Sequence, residues 1–167
     1  MADIVEPEVR SRMMSRIRGR NTRPETVVRS GLWARGFRFR LHVRGLAGQP
    51  DIVLPKWRTA IFVNGCFWHA HANCPYFRVP KSRSEFWQKK LLANRRRDTA
   101  AVARLVEDGW KVITIWECAL RADAQNAIHI ADDLIRNADS PRWEISQPPS
   151  DRTSCHASSP LAGKEDI

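Results

Sequence analysis

A group of cysteine and histidine residues in the middle of the chain constrains the fold more than any other feature of the sequence. Cys66, His71 and Cys74 follow one another at Cys-x4-His-x2-Cys spacing in a stretch with neither helical nor strand periodicity, and Cys118 lies much further along. Three thiolates and one imidazole are a complete ligand set for a tetrahedral structural zinc ion, which would join this loop to a distant strand end. Two alternatives stay open: His69 could supply the imidazole instead of His71, or the cysteines could be free buried thiols.

Apolar periodicity predicts a single α/β domain around a mixed sheet that is flanked by helices. Thr22 and Glu25 have the spacing of a helix capping box, and Gly36 is typical of a helix end. Ser82 and Glu85 repeat the capping pattern before a long amphipathic segment. The predicted helices span 22–36, 82–108 and 123–138, and the predicted strands span 37–43, 50–54, 59–63 and 110–116.

The two ends of the chain differ from this middle part. Residues 8–18 carry four arginines with apolar residues at roughly helical spacing, which predicts a short basic helix. From residue 140 the chain is rich in serine and proline and loses apolar periodicity, which predicts a disordered tail over 140–167. We therefore expect one domain over residues 1–139, and we exclude Cys155 and His156 in the tail from any site.

The charge of the chain indicates a polyanionic partner. The 167 residues hold 28 basic and 18 acidic side chains, for a net charge of +10, and 22 of the basic side chains are arginine. The excess lies in residues 1–120, whereas residues 121–167 are net acidic. Because the planar arginine fork binds phosphate through paired hydrogen bonds, nucleic acid is favoured over a merely solvated basic surface.

The sequence also excludes two classes of protein. No apolar run approaches the roughly 18 residues that a membrane-spanning helix needs. The first ten residues lack the apolar segment of a secretory signal. Four cysteines in such a chain argue for metal ligands or free thiols rather than disulfides. We expect a soluble protein of the cytoplasm.

A candidate catalytic carboxylate lies at the start of the second predicted strand. Pro50 and Asp51 precede an apolar run, and a second strand follows after a tight turn. This arrangement resembles the PD-(D/E)xK site of restriction-endonuclease-like nucleases, in which two carboxylates bind Mg²⁺ and a lysine assists the attacking water. Val63 and Gly65 occupy the positions of the second acid and the lysine, so the standard motif is broken.

A wider set of motifs resembles the very short patch repair (Vsr) mismatch endonucleases over about residues 8–121. The motifs are NGCFWHAHANC from Asn64 to Cys74, Phe86-Trp87, NRRRD from Asn94 to Asp98, Gly109-Trp110 and Trp116-Glu117-Cys118. The resemblance implies a restriction-endonuclease-like fold with a structural zinc. It also implies a nick in one strand, on the 5′ side of the thymine in a T:G mismatch left by deamination of 5-methylcytosine.

The same resemblance implies a set of partners. The substrate would be double-stranded DNA with a T:G mismatch, acted on by a monomer at the bacterial nucleoid. A cytosine-5 DNA methyltransferase of matching specificity would create the sites at which such mismatches arise. Mismatch-repair proteins are further candidate partners.

The residues and the resemblance together assign roles at the catalytic centre. Asp51 is expected to bind Mg²⁺ with the backbone carbonyl of Val63. His69 is expected to replace the missing lysine as general base, because imidazole titrates near neutral pH. By resemblance, Glu25 hydrogen-bonds a water of this magnesium ion or His69, while its alternative role is only to cap its helix. The resemblance assigns zinc to Cys66, His71, Cys74 and Cys118.

The resemblance also assigns DNA contacts. Phe67 and Trp68 would act as wedges that unstack the mismatched pair, although two adjacent aromatic residues are as often core. Met14 matches the position where the N-terminal helix inserts from the other groove, and Met13 is its neighbour.

Two polar residues have auxiliary roles in this assignment. Asn64 stands where relatives can carry histidine, so that its contact with DNA would be neutral. Asp98 would orient groups in the site, but a salt bridge on the helix surface with Arg95 is slightly favoured.

Two other functions compete with the mismatch nickase. A zinc-stabilised nucleic-acid-binding module without catalysis would explain the arginines, the aromatic residues and the cysteines, and would need nothing from Asp51. A related nuclease with a different lesion specificity would share the catalytic and zinc residues.

Overall fold

The structure is a computed structural model that describes residues 20–147. Helix α1 (Arg23–Ala34) precedes strands β1 (Arg40–Leu41), β2 (Ile52–Leu54) and β3 (Thr59–Asn64). Helix α2 (Ser84–Glu107), strand β4 (Lys111–Trp116), helix α3 (Glu117–Asn137) and strand β5 (Arg142–Ile145) follow. The strands form one sheet in the order β1-β2-β3-β4-β5, with antiparallel pairs up to β3 and parallel pairs beyond it. The predicted mixed sheet flanked by helices is confirmed.

Helices cover both faces of this sheet. Ile61, Ile113 and Ile115 point to the face on which α1 and α3 pack, and Ala60 and Val112 point to the face covered by α2. The connections between the parallel strands explain this arrangement. The chain crosses from β3 to β4 and from β4 to β5 through a helix, and each helix must bury its apolar side on the sheet. Strand β4 lies between two strands and two helical layers, which is why its sequence is an almost continuous apolar run.

Helix α1 begins and ends as its sequence predicts. The Thr22 side chain accepts a hydrogen bond from the amide of Glu25, and the Glu25 carboxylate accepts one from the amide of Thr22, which completes the capping box. Gly36 follows the helix with φ of 88°, in the left-handed region that favours glycine. This cap places the Glu25 side chain at the rim of the sheet.

Three predicted boundaries are wrong. The strand predicted over 37–43 is only two residues long, because it is an edge strand that ends at His42, whose φ is 49°. The cap predicted at Ser82 is absent, since Arg83 adopts a left-handed conformation directly before α2. The last helix starts at Glu117 rather than Asp123, where non-helical angles mark a kink.

The predicted tail over 140–167 is wrong at its start. Residues Arg142–Ile145 form β5, which pairs in parallel with β4, and Ile145 is buried. A four-residue strand has too little periodicity to be recognised locally, and its stability comes from a neighbour distant in sequence. Residues 148–167 of the tail lie outside the described residues, as do the predicted helix over 8–18 and its Met14.

Among residues 20–147, no helix is both long enough and apolar enough to cross a membrane.

Candidate active site and metal centre

A cleft of about 1030 Å³ opens on the α2 side of the sheet, where β3 and β4 end. It is formed by the start of α1, the ends of β3 and β4, the loop after β3, and the middle of α2. Asp51, His69 and Asp98 all line it, although they are far apart in sequence. The candidate residues therefore meet at the carboxyl ends of two parallel strands, where ligand sites of α/β sheets are commonly found.

Asp51 is held in this cleft by the strand beside it. Its Oδ2 accepts a hydrogen bond of 2.8 Å from the amide of Val63, and its Oδ1 makes no hydrogen bond within residues 20–147. Burial raises the pKa of Asp51 above its usual value, and the Glu25 carboxylate adds to the rise, against the opposing effects of Val63, His42 and Arg29. A partly buried carboxylate with a free oxygen, next to a second carboxylate, fits a divalent cation.

Glu25 is buried and its carboxylate is fully engaged. Oε1 accepts hydrogen bonds from the amide and hydroxyl of Thr22, and Oε2 accepts from the amide of Asn21 and from Arg29 at 2.6 Å. A carboxylate offers about four acceptor positions, so that none is left for another donor. The capping role of Glu25 is thus present in the structure, and contact with a water or with His69 would require one of these bonds to exchange.

Arg29 and His42 are site residues that the sequence analysis missed. Arg29 Nη2 lies 3.3 Å from His42 Nε2 while it also pairs with Glu25. Because a guanidinium only donates, His42 Nε2 must accept, which places the ring proton on Nδ1. Arg29 could have been found from its position four residues after Glu25 on the same helix face. His42 carries no local signal, since its approach to the cleft depends on the turn after β1.

His69 and Asp98 form a close pair. His69 Nδ1 lies 2.6 Å from Asp98 Oδ2, and both side chains are partly exposed to the cleft. The favoured salt bridge between Asp98 and Arg95 is therefore wrong, because Asp98 points from α2 towards the loop that follows β3. Asp98 lies on the same side of α2 as buried Val102 and Leu105, at spacings of four and seven residues. That spacing is a signal that predicts an inward-facing carboxylate.

The four predicted zinc ligands come together. Cys66, His71, Cys74 and Cys118 each offer one ligand atom, and these atoms all lie within 4.8 Å of one another. The structure thus selects His71 rather than His69 for this cluster. The His71 ring is stacked on Trp116, with 3.9 Å between ring centroids and 4° between ring planes.

The chemistry of this donor set fits a zinc ion. Burial raises the pKa of the Cys66 and Cys118 thiols, so that a cation is needed to hold them as thiolates at neutral pH. Burial lowers the pKa of His71, which favours the neutral imidazole that a metal requires. Three thiols and one neutral imidazole within a few ångströms match a closed tetrahedral zinc shell.

Phe67 and Trp68 form an aromatic cluster with Trp87 of α2. The ring centroids are 5.2 Å apart for Phe67 and Trp68, 5.4 Å for Phe67 and Trp87, and 6.0 Å for Trp68 and Trp87. Asn94 donates its side-chain amide to the carbonyl of Trp68 at 3.0 Å, and the Lys90 ammonium lies 5.6 Å from the Trp68 ring. The loop aromatics are thus positioned by α2. Trp87, Lys90 and Asn94 were not assigned roles from the sequence.

Asn64 ends β3 and lines the cleft with a side chain that is 9% exposed. It points to the α2 side of the sheet, as Ala60 does, because the residues are four apart on one strand. The carbonyl of Val63 belongs to the same strand end, next to the amide that binds Asp51.

Comparison with known proteins assigns the chain to a family. The family model for the DNA mismatch endonuclease Vsr matches residues 2–75. The type II nicking enzyme V.XorIIP of Xanthomonas oryzae pv. oryzae is 48% identical over 120 residues, which are 72% of this chain and 88% of that protein. The type II nicking enzyme V.NmeAIP of Neisseria meningitidis is 41% identical over 74% of this chain and 88% of its own length. The DNA mismatch endonuclease Vsr of Escherichia coli is 44% identical over 72% of this chain and 77% of its own length. At this identity and coverage, the chain belongs to the Vsr family of DNA mismatch endonucleases.

Proposed function

We propose that this protein is a DNA endonuclease that nicks one strand on the 5′ side of the thymine in a T:G mismatch. The observation that carries the proposal is the meeting of Asp51 with the His69–Asp98 pair in one cleft, beside the aromatic cluster. Membership of a family whose relatives are named as mismatch endonucleases and nicking enzymes supports the same activity. The proposal includes the restriction-endonuclease-like fold. The mixed sheet and the position of Pro50 and Asp51 directly before β2 support it.

His69 is the proposed general base. Its Nδ1 faces the Asp98 carboxylate, so that in the neutral ring Nδ1 carries the proton and Nε2 is free to accept one. Asp98 would hold the ring in this tautomer and stabilise the imidazolium that forms when Nε2 takes a proton from the attacking water.

Asp51 and the Val63 carbonyl would hold the magnesium ion. When bound, Mg²⁺ would supply positive charge next to the phosphate that is cleaved. The amide of Val63 orients the Asp51 carboxylate, which leaves Oδ1 for the cation. Glu25 and Arg29 set the charge of the surrounding pocket, Glu25 with its negative charge and Arg29 with a compensating positive one.

The zinc site has a structural role in this proposal. Cys66, His71 and Cys74 come from the loop that also carries Phe67, Trp68 and His69, so a zinc ion there would hold the wedge and the base in place. Phe67 and Trp68 would enter the stack beside the mismatch, where a weakened pair reduces the unstacking cost of a few kcal/mol. Asn64 would add a neutral contact to DNA at the same strand end.

Nicking of a labelled T:G duplex in the presence of Mg²⁺ tests the proposal. The unmodified protein is expected to cut only the strand that carries the thymine, on its 5′ side. Asp51→Ala is expected to abolish the nick and to leave duplex binding largely intact. Full activity of that variant would contradict the role of Asp51, and a bound but uncut duplex with the unmodified protein, across several methylation-site contexts, would favour the binding module without catalysis.

His69→Ala separates the roles of the two histidines. The expected result is a large loss of nicking rate with unchanged fold and zinc content, because His71 alone belongs to the cysteine cluster. Loss of zinc from His69→Ala would contradict this assignment, and His71→Ala provides the opposite control.

A panel of mismatches and flanking sequences tests the specificity. Preference for T:G over other mismatches by at least about tenfold is expected if the wedge reads the weakened pair, and equal cutting of all mismatches would point to the related nuclease. The flanking sequence preferred in this panel would be that of the methyltransferase that the proposal assigns as functional partner. Mismatch-repair proteins are proposed as further partners.

A further inference from the structure

Helix α2 carries an exposed arginine, Arg95, in line with the residues that pack on the sheet. Its buried apolar residues are Leu91, Val102 and Leu105, and the four-three spacing that connects them also includes positions 95 and 98. The stripe thus runs from Leu91 through Arg95 and Asp98 before it becomes apolar again. Asp98 is accounted for by its pair with His69. Arg95 has no partner within residues 20–147 that would explain a guanidinium in this stripe.

Arg95 differs in this respect from the other arginines that line the cleft. Arg20 donates to Gln49, and Arg142 pairs with Glu144. Arg97 donates to the side chain of Asn94 and the carbonyl of Ala93. The Arg95 guanidinium makes no hydrogen bond or ion pair with any residue in 20–147, although Asp98 is only three positions away. Its charge faces a cleft whose walls hold Asp51, Glu25 and Asp98.

The position of this charge matches a need of the reaction. Hydrolysis of a phosphodiester forms a bond from the water oxygen to phosphorus and breaks one ester bond, whose electron pair leaves with the sugar oxygen. The water proton goes to His69 Nε2, and the departing oxygen takes a proton from solvent. Negative charge accumulates meanwhile on the non-bridging oxygens of the phosphate, where fixed cations accelerate the step. No lysine stands on β3 to supply one, because the positions after Phe62 are Val63, Asn64 and Gly65.

We propose that Arg95 binds the phosphate at the cleavage site and neutralises the charge that develops on its non-bridging oxygens. The guanidinium would occupy, from α2, the role of fixed cation that a lysine on the second strand has in the standard PD-(D/E)xK site. The inference rests on the proposed endonuclease function. It adds a substrate-binding residue that the broken strand motif does not contain.

Arg95→Ala, Arg95→Lys and the neighbouring Arg96→Ala test this role. Arg96 lies on the same helix, has the same charge and is exposed like Arg95, but it projects about 100° away around the helix axis and does not line the cleft. Arg96→Ala therefore removes an equal charge outside the site. Nicking is followed on a T:G duplex with Mg²⁺ under single-turnover conditions, with protein in saturating excess. Duplex affinity is measured separately over a series of salt concentrations, and thermal unfolding checks that each variant is folded.

Arg95→Ala is expected to lower the saturating rate on the order of 10-fold to 100-fold, since one missing donor to a developing oxyanion has an effect of this size or larger. Arg96→Ala should change that rate less than about twofold, and Arg95→Lys should restore part of the loss, because an ammonium keeps the charge without the planar fork. Both alanine variants should lose similar duplex affinity, since each removes one cation from the surface.

Equal saturating rates for Arg95→Ala and Arg96→Ala would overturn the proposal, whether both are fast or both are slow, because the effect would then be one of overall charge. A loss in Arg95→Ala that is confined to affinity would also overturn it. If the unmodified protein binds the duplex but makes no nick, the proposed function fails, and the role of Arg95 fails with it. A nick whose rate does not depend on Arg95 would instead overturn the role of Arg95 alone.

Discussion

At Asp51, a group suited to bind a cation is held in a position that costs the fold stability. Its carboxylate is removed from water at the start of β2 and lies near the carboxylate of Glu25. The amide of Val63 and the charge of Arg29 offset part of this cost, but burial outweighs them and the pKa of Asp51 is raised. A charged group that the fold holds at a cost, and that faces a cleft, is typical of binding and catalytic positions.

Asp51→Asn is expected to stabilise the metal-free protein at neutral pH by about 1 kcal/mol. The asparagine oxygen can still accept the hydrogen bond from the amide of Val63, while the buried charge and its repulsion from Glu25 disappear. Urea unfolding in the presence of a chelator measures the change. Added Mg²⁺ should raise the stability of the unmodified protein and have less effect on the variant, since only a ligand bound by the folded state stabilises it. A variant less stable than the parent would contradict this account.

Asp98→Asn tests the pair with His69. The variant keeps the size of the side chain but loses the charge that stabilises an imidazolium, so the nicking rate should fall about 10-fold to 100-fold. Single-turnover nicking of a T:G duplex measures the rate. Glu107→Gln is the matched control, because it removes an exposed carboxylate of the same helix outside the cleft, and it should leave the rate unchanged. Equal rates for the two variants would argue against a role for Asp98.

For individual residues of the site, the residue type could be predicted from the sequence, but the residue that each one contacts often could not. Asp51 is marked by the proline before it and the apolar strand after it. His69 and His71 cannot be separated by spacing, because they lie two residues apart in a loop without a regular period, and only the folded loop turns one to Asp98 and the other to the cysteines. Glu25 shows the same limit. Its capping role depends on neighbouring residues in the sequence, whereas its proximity to Asp51 depends on the tertiary structure.

Among the elements, α1 and α3 approach each other closely at Gly31. A Cβ placed on Gly31 would contact Ile128 Cδ1 and would lie 2.9 Å from Ile128 Cγ2. The absence of a side chain therefore permits the packing of α1 and α3 on one face of the sheet. Because α1 also carries Glu25, this packing helps to set where the rim of the cleft lies.

Gly31→Ala is expected to destabilise the protein by about 1 to 3 kcal/mol, although alanine favours a helix more than glycine does. The double variant Gly31→Ala with Ile128→Val removes the methyl group that is nearest to the new Cβ. It should therefore be less destabilised than the sum of the two single variants. Denaturant unfolding of all four proteins measures this coupling. Additive changes, or a stabilised Gly31→Ala, would contradict the close approach.

The elements with their own sequence signals were predicted, and those without them were not. The capping box of α1, the apolar runs of β2, β3 and β4, and the amphipathic α2 are all recognisable locally. Strand β5 is not, because its four residues are ordered by pairing with β4 and by burial of Ile145. The start of α3 at Glu117 was missed for a related reason, since its first turn follows β4 directly and contains Cys118, which the cluster places.

Across the whole molecule, the cysteine cluster joins the loop after β3 to the first turn of α3. The loop after β3 supplies Cys66, His71 and Cys74, and the first turn of α3 supplies Cys118. The amide of Gln147 also donates to Cys118 Sγ at 3.4 Å, which brings the end of β5 to the same place. An irregular loop, which lacks the repeating backbone hydrogen bonds of a helix or a strand, depends more on such a connection than they do.

Removal of zinc, or Cys118→Ser, is expected to lower the melting temperature by several degrees and to abolish nicking, because the loop carries both the proposed wedge and the proposed base. Zinc content by metal analysis and thermal unfolding measure the two effects. Cys155→Ser is the matched control, since Cys155 is the one cysteine that the sequence analysis excludes from the site. Unchanged stability and activity after complete zinc removal would contradict a structural metal.

The sequence by itself determined the chemical inventory of this protein: an arginine-rich chain with an α/β pattern, a set of candidate metal ligands, and a carboxylate at the start of a strand. These are local properties, because composition, spacing and short-range periodicity carry them. Only the tertiary structure decided which histidine joins the cysteines, that Asp98 faces His69 rather than Arg95, and that Arg95 lines the cleft without a partner among residues 20–147. The physical reason is that the contacts of both histidines join a loop to a helix about 30 to 50 residues away, and packing on the sheet, not the neighbouring sequence, sets these distances and the direction in which Arg95 points.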